Sequence, residues 1–389
     1  MVLAACSSTT AAPASSDGST GVPSIPLTSS SAGPTTAWAT LAMGHLGQPL
    51  NTFWQLFRLP ATSSRWKLDT PPGVASNGGL VASAAGPGAV LAGFLPSLDL
   101  HFSPVAASTD QGGTWSTGVL PGALAQVPDS LASDAGQDLA LLRGGSNGAG
   151  LDGSGGVVSA TGDLTAWNAV VSNHALAADP STSGCGIEHL TAVAFGTGVA
   201  DSAGRVGDDA LIGAECAHGR RAGVFVDGAT GWVMVGPVLP GVAAGPTEVL
   251  RLVDSPAGVS ALVSTGTGTR ARLFALWGTG TPAGWTVAAP LPLGGAALIS
   301  TGVTASGGFV IAARGTDDRR MAAVVEPSAG SWKVLAPPPA GTGSVIATPV
   351  GTFDAFVPDQ STLDVDTLGG DGWLRTQSID VNIQYGSSG

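Results

Sequence analysis

Between Ala296 and Pro327 three apolar runs, AALISTGVTA, GFVIAARG and RRMAAVVEP, alternate with breaks of Gly and Asp, and each is rich in β-branched or small residues. Runs of this length bounded by turn residues predict strands rather than helices. A fourth short segment, WKVLAPPPAG, follows at Trp332, and proline ends it because proline has no N–H to offer a sheet ladder. The phrase returns along the chain. Tryptophans at 66, 115, 167, 232, 285, 332 and 373 lie 41 to 65 residues apart, and most open a β-like stretch that runs into proline, as in WKLDTPPG, WSTGVLPG, WVMVGPVLPG and WTVAAPLPLG. A period of about 40–50 residues with four strands per repeat predicts the blades of a propeller.

The expected fold is therefore all-β: a seven-bladed β-propeller of four-stranded antiparallel blades over residues 36–389. The first repeat, AWATLAMGHLGQPLNTFWQLFRLPATSSRWKL, supplies three strands and lacks one. The tail SIDVNIQYG, residues 378–386, is expected to provide it, closing the ring by pairing the N- and C-terminal repeats and removing open sheet edges. Counts of six or eight blades stay open, because the terminal repeats are the least regular.

Composition narrows the class. With 59 Gly and 27 Pro the chain is punctuated too often for long helices, yet 43% hydrophobic residues suffice for a large core. Charged residues are 11%, 27 acidic against 15 basic, and the net charge of -12 excludes nucleic acid as a natural partner. No run of eighteen apolar residues occurs, so no helical membrane span is expected.

At the N-terminus, Leu3-Ala4-Ala5-Cys6 resembles the bacterial lipobox, the small apolar pattern before a cysteine that becomes lipidated. Residues 1–6 are then the remnant of a signal peptide, and Cys6 is the lipidation site. Residues 7–35, SSTTAAPASSDGSTGVPSIPLTSSSAGPT, read as a flexible tether. This implies an extracytoplasmic protein, attached to the bacterial cell membrane only through its lipid. Cys185 and Cys216 remain as a pair, expected to be oxidised outside the cytoplasm and joined across a hairpin, with two reduced core cysteines as the alternative.

The stretch STDQGGTW matches S-x-D-x-G-x-T-W through Ser108, Asp110, Gly112, Thr114 and Trp115, and resembles the Asp-box (BNR) repeat of sialidase-like propellers. The resemblance implies a turn between the third and fourth strands of a blade, with Asp capping backbone N–H groups, Gly at positive φ and Trp packed inward. It is complete over one turn and schematic elsewhere. FRLP, Phe57–Pro60, is similar to the sialidase phrase whose arginine binds the substrate carboxylate. That likeness would make Arg58 a ligand, with Arg251 and Arg314 as further arginines, and Glu248 and Tyr385 as the glutamate–tyrosine pair. Leu replaces Ile in the phrase, and Tyr385, the one tyrosine, falls in the last five residues.

Metal chemistry has little basis: histidines at 45, 101, 174, 189 and 218 are scattered, and Glu188 and His189, as strand neighbours, point to opposite faces. No cofactor motif is present. Arg220 and Arg221, Arg270 and Arg272, and Arg319 and Arg320 each open the predicted third strand of successive blades, a pattern that suits an anionic ligand. The expected function is a lipid-anchored binding or interaction module rather than an enzyme, with a glycan, another anionic ligand or an envelope protein as partner. The alternatives are a sialidase-like glycoside hydrolase and an envelope scaffold without a small ligand.

Overall fold

The computed structural model describes residues 29–381, apart from 34, 45–51, 72–78, 85–87, 96–102, 122–126, 135, 143–149, 197–209, 229–230 and 282–283. Its strands follow one another in four-stranded antiparallel meanders spanning 29–68, 79–120, 130–172, 187–234, 247–287, 297–334 and 344–380. The sixth shows how directly the apolar runs become strands: Ala297–Val303, Phe309–Arg314 and Arg320–Val325, then Lys333–Val334 after Trp332. Two pairs of meanders are also joined by ladders between their named strands. Glu215 and Cys216 pair with Glu248 and Thr247, joining the fourth to the fifth, and Ser29–Ala32 runs parallel to Ala297–Val303, joining the first to the sixth.

Each repeat tryptophan stands at or just before the fourth strand of its meander, where the pattern put it. Each packs in the apolar layer shared with a neighbouring meander. Trp115 meets Trp38 of the first meander edge to face, with centroids 6.3 Å apart, and Trp167, Trp232, Trp285 and Trp332 lie in the layers between meanders two and three, three and four, four and five, and five and six. One further layer unites the first, sixth and seventh meanders around Trp66, Val345 and Val310, with Trp373 against it. A large flat ring at each such boundary removes apolar area from water on two sheets at once.

The inner strands are stitched by side chains as well. Ser130 Oγ accepts from the Val193 N–H at 3.1 Å, and the Thr191 hydroxyl donates to the Val249 carbonyl at 2.7 Å. Arg251 Nε donates to Thr301 Oγ1 at 2.8 Å, and Ser300 Oγ accepts from the Val345 N–H at 3.2 Å. Bulges near Leu190, Leu250 and Ile299 break the inner-strand registers close to these contacts. An extra residue re-aims the side chains that follow it, letting a short Ser or Thr reach the next sheet.

One expectation is corrected. The innermost strand of the first meander is Ser29–Ala32, drawn from the stretch read as tether, and not the C-terminal tail. Gly372–Asp380 is the outer strand of the seventh meander, paired with Thr362–Gly369, and residues 382–386 of the proposed closing strand lie outside the described residues. The ladder on either side recruits SSSA through backbone groups, which every residue type but proline supplies, so polar composition does not reveal it.

Candidate functional site

In an antiparallel meander the loop between strands two and three falls at the same end as the segment leading to the next meander. The loops between strands one and two, and three and four, fall at the other end. The linking-loop end gathers the polar side chains that follow.

The segment between the third and fourth meanders is built by capping. Ser172 Oγ accepts from the Ala175 N–H at 3.1 Å and starts the short helix Asn173–Ala178; Asp179 caps the following turn. The segment delivers Cys185 to Cys216, at the end of Ala210–Cys216, with Cα atoms 4.8 Å apart, so the expected disulfide is present. Gly186, at φ 61°, follows it, and a Cβ there would press on the His218 ring. That left-handed backbone favours glycine between the disulfide and the strand start.

Cross-strand pairing then sets His189, Glu215, Glu248 and Ser264 in one row over four strands. Residues directly opposite in a sheet project to the same face, with Cβ atoms about 5 Å apart. His189 Nε2 lies 3.0 Å from Glu215 Oε2. The hydrogen bond that its ring donates to Glu215 raises the His189 pKa above 6.5, and the charges of Glu215, Glu248 and Asp129 add to it against partial burial. Glu248 is 8% exposed. The bulge at Leu250 turns Arg251 onto the same face as Glu248, since Glu248 pairs with Ser264 and Arg251 with Leu262. Arg251 Nη2 is shut off from solvent without a hydrogen-bond partner, and burial pushes its pKa down to about 10, which leaves it charged at neutral pH. Such a row can hold a proton between imidazole and carboxylate and present both charge signs to a ligand. Glu248 and Arg251 were singled out from the sequence; His189 with Glu215 was not, because their contact depends on strand register.

The six arginines all lie where the third strands begin, but they do different work. Arg221 Nε donates to the Gly236 carbonyl at 2.9 Å and Arg320 Nη1 to the Pro339 carbonyl at 3.2 Å, so both hold linking loops in place. Arg319 pairs with Asp317 at 3.2 Å. Arg220, Arg270 and Arg272 are exposed, with no side-chain hydrogen bond or ion pair among the described residues. Arg270 and Arg272 line a cleft of about 340 Å³ whose other wall is Gly241–Pro246, the segment linking the fourth and fifth meanders.

The motif turn lies at the opposite end. Asp110 Oδ1 accepts from the Thr114 N–H and its Oδ2 from the Thr114 hydroxyl, both at 2.8 Å, while the Gly112 N–H donates to Ser108 Oγ at 2.8 Å. The two bonds from Thr114, with a third from the Ser108 hydroxyl at 2.9 Å, lower the Asp110 pKa to about 2. Gly112 has φ 78°, and a Cβ there would overlap the Asp69 carboxylate. Asp69 in turn pairs with Arg58 Nε at 2.8 Å, and Arg58 Nη1 donates to the Gln111 carbonyl. Arg58, late in the third strand Thr52–Pro60, thus fastens the first meander to this turn, away from Glu248 and Arg251. Arg314 is exposed, 3.9 Å from Asp318. Tyr385 and Cys6 lie outside the described residues. Among the described residues no three His, Cys, Asp or Glu side chains are grouped to hold a metal ion, and no helix is long and apolar enough to cross a membrane.

No family model matches the sequence, and no curated protein matches it. Solved structures do. A candidate 6-phosphogluconolactonase of Bacteroides uniformis is 16% identical, with 90% of this chain and 97% of that chain covered, at a TM-score of 0.53. The periplasmic gluconolactonase of Pseudomonas aeruginosa is 13% identical over 89% of this chain and 96% of that one, at 0.50. The BP39L lectin of Burkholderia pseudomallei is 15% identical over 92% and 99%, at 0.49. The structural neighbours are β-propellers, and this chain is an all-β protein of that fold.

Proposed function

We propose that the chain is a seven-bladed, closed β-propeller, held outside the cytoplasm by a lipid on Cys6, which serves as a binding module through its linking-loop end. Closure is supported by the layer shared by the first, sixth and seventh meanders. Trp66 Nε1 donates to the buried Asp354 at 2.7 Å, and Gln377 exchanges bonds of 2.9 and 2.8 Å with the Trp66 backbone. Anchoring is supported by the lipobox-like Leu3–Cys6 and the Ser/Thr/Pro-rich stretch after it. The Asp-box relationship is supported by the hydrogen bonds of the turn at 108–115.

The observation that carries the binding reading is the convergence of His189, Glu215, Glu248 and Arg251 on one face. A scaffold without a small ligand has no use for a buried guanidinium with an N–H left unmet among the described residues, which costs roughly 1–3 kcal/mol. Sialidase-type hydrolysis lacks such support, because Arg58 is committed to Asp69 at the other end. The lactonase names of the neighbours, at 13% and 16% identity, bear on the fold alone.

The test is a screen of the full chain on an array of neutral, acidic, sulfated and phosphorylated glycans. Retention is expected for one charged class and is lost in variants at this end, with Arg65→Ala at the far end unaffected. A chain that retains nothing, and captures only envelope proteins from cross-linked membranes, would establish the scaffold instead.

A further inference from the structure

The cleft between the fourth and fifth meanders has the attributes of a built anion site. Its floor is fixed from both sides: the Leu239 N–H donates to the Arg220 carbonyl at 2.7 Å, the Gly245 N–H to Gly219 at 3.2 Å, and the Gly266 N–H to Pro246 at 3.4 Å. The linking segment is therefore tied to both neighbouring loops and does not depend on a ligand for its shape. Arg272 is itself a ladder residue, opposite Thr265 on one side and Pro292 on the other. Arg270 ends the single turn Gly268–Arg270 that leads into it. Two guanidinium groups are thus presented from rigid backbone, two residues apart, into one cavity.

Neither has an ion-pair partner among the described residues, although acidic residues outnumber basic ones 27 to 15 in the chain. Arg221, Arg319 and Arg320 show the contrast, each being engaged by a carbonyl or by Asp317. The facing wall is Gly241, Val242, Ala243, Ala244 and Gly245, short side chains that offer backbone and apolar surface. A volume of about 340 Å³ stands at the lower end of small-molecule sites, which run from roughly 300 to 1,000 Å³. Such a cavity takes a body of one or two rings rather than a polymer groove. Guanidinium forks match the oxygens of phosphate and sulfate, and two uncompensated positive charges suit an ester carrying up to two negative ones.

We infer that this cleft binds a small molecule bearing an oxyanion ester, phosphate or sulfate, on a sugar-sized body. The inference rests on the binding-module reading and names a site and ligand class for it. Calorimetric titration of the full chain with glucose 6-phosphate, glucose 6-sulfate, glucuronate and glucose tests it. One or both esters should bind more tightly than glucuronate and glucose. The affinity should fall at least tenfold in Arg270→Ala/Arg272→Ala, fall less in Arg270→Lys/Arg272→Lys, weaken with added salt, and stay unchanged in Arg319→Ala. The three arginines are exposed, and unchanged melting curves will show that their variants fold.

Equal ester affinity in the double alanine variant, preference for glucuronate or glucose, or no ester binding by the native chain would each overturn the inference. If a glycan array ligand is lost in His189→Ala/Glu215→Gln but not in the arginine variant, the module reading stands and this site falls. If the array retains nothing, the reading itself falls.

Discussion

His189 shows how much one side chain owes to its surroundings. On its own strand it is a polar residue at a sheet end; the neighbouring strand places Glu215 3.0 Å away, and the next brings Glu248 into the same row. Its pKa is raised in the folded chain, so its stabilising contribution is full below the ordinary value of about 6.5 and is lost as pH rises through the raised one. Proton NMR titration should give a His189 midpoint above that of a free imidazole, and Glu215→Gln should bring it down. A midpoint that ignores this substitution would remove Glu215 as the partner. The same dependence explains what was legible here: Glu248 and Arg251 were named only through the sialidase likeness, which gives them no place in the fold, and the His189–Glu215 contact has no signature within either segment.

At the scale of elements, the disulfide and the motif turn were both readable, since each depends on spacing within one hairpin. Cys185 and Cys216 flank a pair of predicted strands, and an antiparallel hairpin brings its two ends together. Closing a loop of 31 residues removes about 3–4 kcal/mol of unfolded-state entropy on the chain-entropy account. Reduction, or Cys185→Ser/Cys216→Ser, should lower the melting temperature accordingly. Thiol titration of the unfolded, unreduced protein should find neither sulfhydryl free. An unaltered melting curve on reduction would contradict that contribution. The strand at Ser29–Ala32 was not readable, because its pairing uses the backbone on both edges while its sequence looks like the tether before it.

For the whole molecule the decisive contact joins residues almost three hundred positions apart. Trp66 is 2% exposed, stacks edge-on to Phe356 at 4.9 Å, and gives its indole N–H to Asp354, which also accepts from Thr367. Burial raises the Asp354 pKa against these bonds, so the carboxylate is tolerated rather than favoured there. Asp354→Asn keeps an acceptor for the indole and should be nearly neutral, whereas Asp354→Ala leaves the N–H unmet and should cost about 1–3 kcal/mol. Trp66→Ala should cost about 3–5 kcal/mol through the cavity it opens. Denaturant melts measure all three, and a Trp66→Ala variant as stable as the native chain would show that this boundary does not bind the molecule's ends together.

The repeat and its contents could be read along the chain: short apolar runs between turn residues, an indole at or just before every fourth strand, a capped turn at Ser108–Trp115 and a cysteine pair at a hairpin's ends. These are local properties, set by side-chain period, turn chemistry and chain spacing. Tertiary structure alone decided which strand completes the first meander, which of six similarly placed arginines are spent on carbonyls and which face a cleft, and that His189, Glu215 and Glu248 share one row. Each of those outcomes depends on register and on packing between segments far apart in the chain. A one-residue shift in pairing would turn the same side chains to the opposite face without altering the sequence pattern at all.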